Sequence, residues 1–439
     1  MKKLSLSQIA GLSCMIFAIF FGAGNMIFPP AMAQLAGSST PIALLGFVLS
    51  DVGIAVAGVM AVVIAGTSMD ELASRVSKKF SLFLSFAVYL CIGPLFALPR
   101  CGSVSFEIGL LPYINNQPML FSVLFTAVFF GLTFLLSIRP GKIVDIVGKV
   151  LTPILLLTIL ALFIAALMNP LGGVGMPRGE YLEIPLFKGI IEGYLALDGF
   201  AGLVFAILVY QALKQFQITD HKIMVKSAFL CSCLAGLLLI LVYAALALIG
   251  LQTSAMDLFA NGGALLSYAS RTLFGGLGGF ILGAAVILAC LTTAIGLSTS
   301  FADFICSHFP KLAYRWVLAG VCLFSFVISN VGLSMLIKIV LPVLIVLYPI
   351  VVVLIVVSLL DPWLKDHNRI MLCGMLFVFP FSLLDGLKNA GILLPGISAW
   401  ASSLPLFNLG LGWLIPAIIG CVMGYFMHSE KPARLINKK

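Results

Sequence analysis

Apolar stretches near twenty residues long recur from one end of this chain to the other, separated by short polar loops. A helix needs roughly 20 apolar residues to cross the hydrocarbon of a bilayer. The 439 residues are 62% hydrophobic and only 9% charged, with a mean hydropathy of +1.18. No soluble core hides that much apolar surface, so an all-α polytopic membrane protein is predicted. The reading places about 12 spans, at about 9–33, 41–66, 80–109, 119–138, 143–168, 188–213, 223–250, 273–300, 313–330, 334–359, 370–388 and 405–427. Nothing is left over for a sizeable soluble domain.

Charge sets the orientation. With the N-terminus inside, the inner segments hold Lys2, Lys3, Arg75, Lys78, Lys79, Arg139, Lys142, Lys149, Lys214, Lys222, Lys226, Lys311, Arg315, Lys365, Arg369, Lys431, Arg434, Lys438 and Lys439. These are 19 of the 25 basic residues, the bias expected of cytoplasmic loops. The remainder is Arg100, Arg178, Lys188, Arg271, Lys338 and Lys388. Both termini are therefore expected in the cytoplasm. Met1-Lys2-Lys3 resembles a signal-peptide start, but the apolar run continues past any cleavage site and is read as a retained first span. The net charge of +9 belongs to scattered loop residues and does not suggest a nucleic-acid partner.

Two spans contradict themselves. Ile16–Ala33 reads IFAIFFGAGNMIFPPAMA, with Gly22, Gly24 and Asn25 in mid-run and Pro29-Pro30 a turn later. Glycine favours helix weakly, and proline removes a donor and clashes with the preceding turn. Two half-helices around a hinge at 22–25 are expected, lining a cavity, because unmet backbone groups cost several kcal/mol each in lipid. The plain alternative is a Gly-x-Gly packing surface. The sixth span, GIIEGYLALDGFAGLVFAILV, is interrupted at Ala196–Gly202 around Asp198. Equivalent interruptions five spans apart predict a 5+5 inverted repeat, at about 9–168 and 188–359, with two further helices at about 370–427, all one transporter domain.

Individual residues carry alternatives. Asp198 is read as partner to a cation or substrate ammonium, or as a helix cap. Asn25 is read as a sodium ligand or a cap. Thr292 and Thr293 offer hydroxyl oxygens that suit sodium, or bond back to the preceding turn. Arg100 and Glu107 lie seven residues apart on one face and are expected to pair with each other or with other spans. Asp51 stays open between binding and structural roles, and Arg100, Glu107 and Lys338 between gating and structural ones. The ten cysteines make no disulfide or metal pattern, and His221, His308, His367 and His428 fall in loops without HExxH. Walker A, GxSxG and TVGYG sequences are absent, which weighs against a pump, an enzyme and a potassium channel. No cofactor is expected.

FFGAGNMIFPP, GPLFALPRCGSVSFEIG, EGYLALDGFAGLVF, CLTTAIGLS, SNVGLSMLIKIVLPVLIVLYP and LPLFNLGLGWLIP occur in that order. Together they resemble the bacterial branched-chain amino acid:cation symporters (BrnQ type) over the full length. Cys101 and Gly102 depart from the family pattern, where threonine is more usual. The resemblance implies the LeuT-like fold, an inner-membrane location, and import of leucine, isoleucine or valine with sodium. The alternative is a proton-coupled transporter of other apolar amino acids, with buried Asp198 as the proton carrier. The resemblance further implies that N–H groups at Ala23, Gly24 and Asn25 hold the substrate carboxylate. Carbonyls from Ala196 to Gly199 would hold the ammonium, with Phe200 in the apolar wall. Phe21, Gly22, Thr292 and Thr293 would hold sodium. An ion channel is the competing class, and it would need a continuous polar stripe that the spans lack.

Overall fold

A computed structural model describes residues 4–66, 68–114, 118–138, 142–218, 220–361, 367–392 and 395–427. Lys2, Lys3, Arg139, Lys365, Lys431, Arg434, Lys438 and Lys439, on which much of the orientation rests, lie outside the described residues. Seven helices among the described residues are long and apolar enough to cross a membrane, and four shorter apolar helices accompany them.

The first span is two helices. α1 (Leu6–Phe20) opens on a capping box, in which Ser5 and Gln8 satisfy each other's backbone N–H groups. It stops at Phe21, and Gly22 is extended at φ −122°, ψ −170°. α2 (Ala23–Ala36) then starts afresh. The break is therefore at Phe21–Gly22 and not across 22–25, because the Asn25 side chain caps the new helix and draws Gly24 and Asn25 into its first turn. Pro29 and Pro30, expected to belong to the interruption, sit inside α2. There they only deprive the Asn25 and Met26 carbonyls of donors.

α3 (Thr40–Val48) passes through one π turn, Leu49–Gly53, into α4 (Ile54–Ala65). The π turn carries Asp51; such bulges often mark functional positions. Short α5 (Met69–Ser74) leads to α6 (Lys78–Ile92) and α7 (Ala97–Gly109). The third span, placed at about 80–109, is broken at Gly93–Phe96. Pro94 disfavours helical backbone at Gly93, whereas Pro99 falls in the first turn of α7, where no donor is lost. α8 (Pro118–Ser137) and α9 (Lys142–Met168) follow.

The sixth span divides into α10 (Pro185–Tyr194), α11 (Asp198–Val204) and α12 (Ala206–Gln215). At the first division Leu197 has φ 75°, a left-handed conformation that costs a branched side chain and persists only where surroundings impose it. α13 (His221–Gln252) is continuous; α14 (Gly262–His308) turns at Gly275, φ 67°. α15 (Tyr314–Ser329), α16 (Leu333–Leu360), α17 (His367–Asn389), α18 (Pro395–Ser402) and α19 (Leu414–Phe426) complete the chain. α8 faces outward through exposed Leu124, Val128 and Leu135, whereas α16 is largely enclosed.

Helices meet at backbone distance through glycines. A Cβ on Gly250 of α13 would lie 2.1 Å from the Pro30 carbonyl, and one on Gly262 of α14 1.8 Å from the Ile27 carbonyl. Small residues permit this approach where lipid supplies no hydrophobic drive. Gly250→Val is expected to prevent a monodisperse folded product in detergent size-exclusion chromatography. Gly320→Ala, with open space around it, should leave the thermal midpoint unchanged or raised by up to about 1 kcal/mol of stability.

Candidate functional site

The breaks of the first, third and sixth spans converge. A cavity of about 40 Å³ lies between them, lined by Ile19, Phe20, Gly22, Ala23, Asn25, Ile92, Ala97, Arg100, Cys101, Ala196, Leu197, Asp198, Ala201, Phe205, Thr293 and Leu297. The N-terminus of α2 and the C-terminus of α10 both address it. Helix ends carry unmatched N–H and C=O groups with opposite partial charges. One wall thus favours an anion and another a cation.

A buried hydrogen-bond network ties the two breaks together. Asn25 Nδ2 donates to Asp198 Oδ2 at 2.6 Å and to the Tyr243 hydroxyl at 2.5 Å. The Tyr243 hydroxyl lies 2.6 Å from Asp51 Oδ2 and 3.3 Å from Asp198 Oδ2. Asn25 Oδ1 accepts from Gly22 N at 3.3 Å. One amide therefore caps α2 and reaches the head of α11. Asp198 does not cap α11, whose N-cap has no side-chain bond; its carboxylate is used across the helices. Asp51 Oδ1 is buried without a hydrogen-bond partner.

Arg100 is the cation at this junction. It is 4% exposed and forms no ion pair among the described residues. Nη1 donates to the Leu195 carbonyl at 2.5 Å and Nη2 to the Ala196 carbonyl at 3.4 Å. The guanidinium stacks over Phe96 at 4.6 Å and Phe28 at 5.3 Å. Its other face presses on α2: a Cβ at Gly24 would stand 2.7 Å from its carbon and both terminal nitrogens. Of the two expected arrangements, Arg100 with Glu107 is absent from the described ion pairs, and Arg100 meets partners on another span, the Leu195 and Ala196 carbonyls. Glu107 lines a separate cavity of about 460 Å³ with Arg271, because the two residues, although on one helix, look toward different neighbours.

Of the residues singled out from sequence, Gly22, Ala23, Asn25, Ala196, Asp198 and Thr293 line the central cavity. Phe21, Gly24, Gly199, Phe200 and Thr292 do not. Gly24 lies under Arg100, and a Cβ on Gly199 would meet Ile54 and Tyr348. Phe200 stacks on Tyr348 at 4.4 Å, and Tyr194 covers Tyr348 at 4.3 Å, so Phe200 belongs to a ring stack outside the cavity wall. Thr292 and Thr293 both donate to the Ala289 carbonyl, at 2.8 and 3.0 Å, which leaves their oxygen lone pairs available. The side-chain methyl of Thr293 faces Gly22. Lys338 is exposed on α16, away from the cavity. Tyr243 was not foreseen. Its only sequence signal is a phenol midway along a 32-residue apolar helix.

A family model described as Branched-chain amino acid transport protein matches residues 5–431. The branched-chain amino acid permease BraB of Bacillus subtilis is 40% identical over 416 residues, 94% of either chain. The permease BrnQ of Escherichia coli is 35% identical over 422 residues, 95% of this chain and 94% of its own. Among solved structures, Mhp1, a nucleobase-cation-symport-1 family transporter in a closed conformation with bromovinylhydantoin bound, superposes with a TM-score of 0.60. The overlap covers 95% of this chain and 93% of that one at 16% identity, a likeness of fold. The fold is accordingly the LeuT type, with discontinuous first and sixth spans.

Removing the Tyr243 hydroxyl leaves Asp51 and Asp198 without their shared bridge. Tyr243→Phe is expected to lower stability by about 1–3 kcal/mol, read as a fall in thermal midpoint in detergent. An unchanged midpoint would show that the bridge contributes nothing to holding the breaks together.

Proposed function

The chain belongs to the branched-chain amino acid transport protein family, a family of membrane transporters and not of enzymes, and from that premise we propose that it imports leucine, isoleucine and valine by sodium symport. The observation that carries this reading is the meeting of α2's N-terminus with α10's C-terminus at one cavity, bounded by Thr293 on a third side. A zwitterionic head group matches opposed helix ends, carboxylate to Ala23, Gly24 and Asn25 N–H groups and ammonium to the carbonyls near Ala196. Ile19, Phe20, Ile92, Phe205 and Leu297 supply apolar wall for a branched side chain.

Sodium is hard and takes oxygen ligands. The carbonyl of Phe21, freed by the break, and the Thr293 hydroxyl are the donors of that type at the hinge; the Gly22 carbonyl, engaged as the N-cap of α2, and Thr292, turned from the cavity, are the weaker candidates. Ion and amino acid each favour the same conformation, which couples them. The halves at about 9–168 and 188–359 insert in opposite orientations and rock around the site, in the inner membrane with both termini cytoplasmic. A second reading, proton coupling, draws on the Asp51–Tyr243–Asp198 bridge, where two carboxylates share one hydroxyl.

Radiolabelled leucine uptake into proteoliposomes separates these readings. An inward sodium gradient at fixed pH and membrane potential is expected to drive accumulation; accumulation that follows an imposed proton gradient and ignores sodium would establish the second reading instead. Thr293→Val is expected to raise the sodium concentration for half-maximal uptake roughly tenfold, the effect of losing one oxygen ligand. An unaltered sodium dependence would remove Thr293 from the ion site. Gly24→Leu should abolish uptake, because even its Cβ collides with the Arg100 guanidinium; normal uptake at normal expression would contradict that packing.

A further inference from the structure

A cation already rests on the carbonyls that an amino acid's ammonium would use. Arg100 is enclosed and without an ion-pair partner among the described residues, and it donates to Leu195 O and Ala196 O at the end of α10. A buried charge without a direct ion pair is costly, and membrane interiors keep one only for a purpose; the Asp198 carboxylate lines the same cavity without pairing with it among the described residues. Nε is buried without a hydrogen-bond partner among the described residues, so part of its donor set is unspent. The guanidinium also lies against the first turn of α2, whose positive end repels it and attracts anions. The cavity beside it, about 40 Å³, admits water-sized groups, whereas small-molecule sites hold about 300–1,000 Å³. Something must therefore give way before a leucine fits, and the Arg100 head lies between the half-helices, on the α10 carbonyls and against Gly24 of α2.

Resting on the transport reading above, we propose that Arg100 is a substrate-binding residue that occupies the ammonium's place on the α10 carbonyls and pairs with the substrate carboxylate when the ammonium displaces it. The exchange conserves charge. The carbonyls trade one cation for another, and the released guanidinium gains an anion that also meets the α2 N–H groups. An amine without a carboxylate cannot complete this exchange, since it would strand the guanidinium. Selection for α-amino acids over amines follows from Arg100.

The test is equilibrium binding of radiolabelled leucine to the detergent-purified full chain, with competition by leucinamide, which keeps the ammonium and side chain but lacks the negative charge. Wild type is expected to bind leucinamide on the order of 10- to 100-fold more weakly than leucine, the range for a hydrogen-bonded charge pair. R100Q should weaken leucine by a similar factor while leaving leucinamide within about threefold of wild type, so that the preference vanishes. R100K, a point charge without the planar fork, should retain an intermediate preference. A merely structural Arg100 would weaken both ligands together and keep their ratio, which overturns the proposal. If R100Q does not fold, wild type and R100K decide: leucinamide within threefold of leucine in wild type, or an unchanged ratio in R100K, is equally fatal. Absence of leucine binding by folded wild type would overturn the transport reading itself and this proposal with it.

Discussion

Backbone groups inside a bilayer have no water to turn to, so a helix that breaks there must find its hydrogen bonds within the protein. The organisation of this chain follows from that constraint. Three spans break beside one cavity, at Phe21–Gly22, Gly93–Phe96 and Leu195–Leu197. Their loose ends are met by side chains drawn from other helices. Asn25 caps its own half-helix and reaches Asp198; Tyr243 of α13 joins Asp198 to Asp51 on the π turn; Arg100 of α7 takes the carbonyls of α10. Apart from the Asn25 cap, each contact crosses from one element to another. The breaks are thus held in place by the same groups that give the cavity its polarity.

Packing around this junction makes the arrangement possible. Glycines at 46, 189, 250 and 262 bring backbones so close that a methyl group would overlap a neighbouring carbonyl. The half-helices are pinned by such contacts on their far sides while their facing ends stay free to address the cavity. Gly24 serves a different end, since it makes room for a guanidinium and not for a backbone. A pinned frame around a charged centre is compatible with the proposed alternating access around a fixed site.

Much of this was legible in the sequence because it depends on local chemistry. Gly22 beside Asn25, and Asp198 within a small-residue run, announce breaks in apolar helices, and the breaks occur within a few residues of where those signals stand. What was not legible depends on which helices become neighbours. Pro29 and Pro30 look like breakers, yet α2 runs through them because the Asn25 cap starts the helix before they act. Gly93-Pro94 interrupts the third span, which reads as one apolar run in the sequence. Phe200 is apolar and adjacent to a break, but periodicity cannot say that it faces Tyr348 and not the cavity. Arg100 read as a gate or a structural pair, and nothing in a single sequence brings it to carbonyls 95 residues away. Tyr243 carries no motif at all and gains its place only through tertiary contact with Asp51 and Asn25.

The most direct measurement is an experimental structure of the full chain with leucine and sodium bound. The central claim predicts density for leucine between the α2 N-terminus and the Leu195–Ala196 carbonyls, with the Arg100 guanidinium turned from those carbonyls to the ligand carboxylate. Leucine density elsewhere, for instance beside Glu107 and Arg271, with Arg100 still seated on α10, would contradict it.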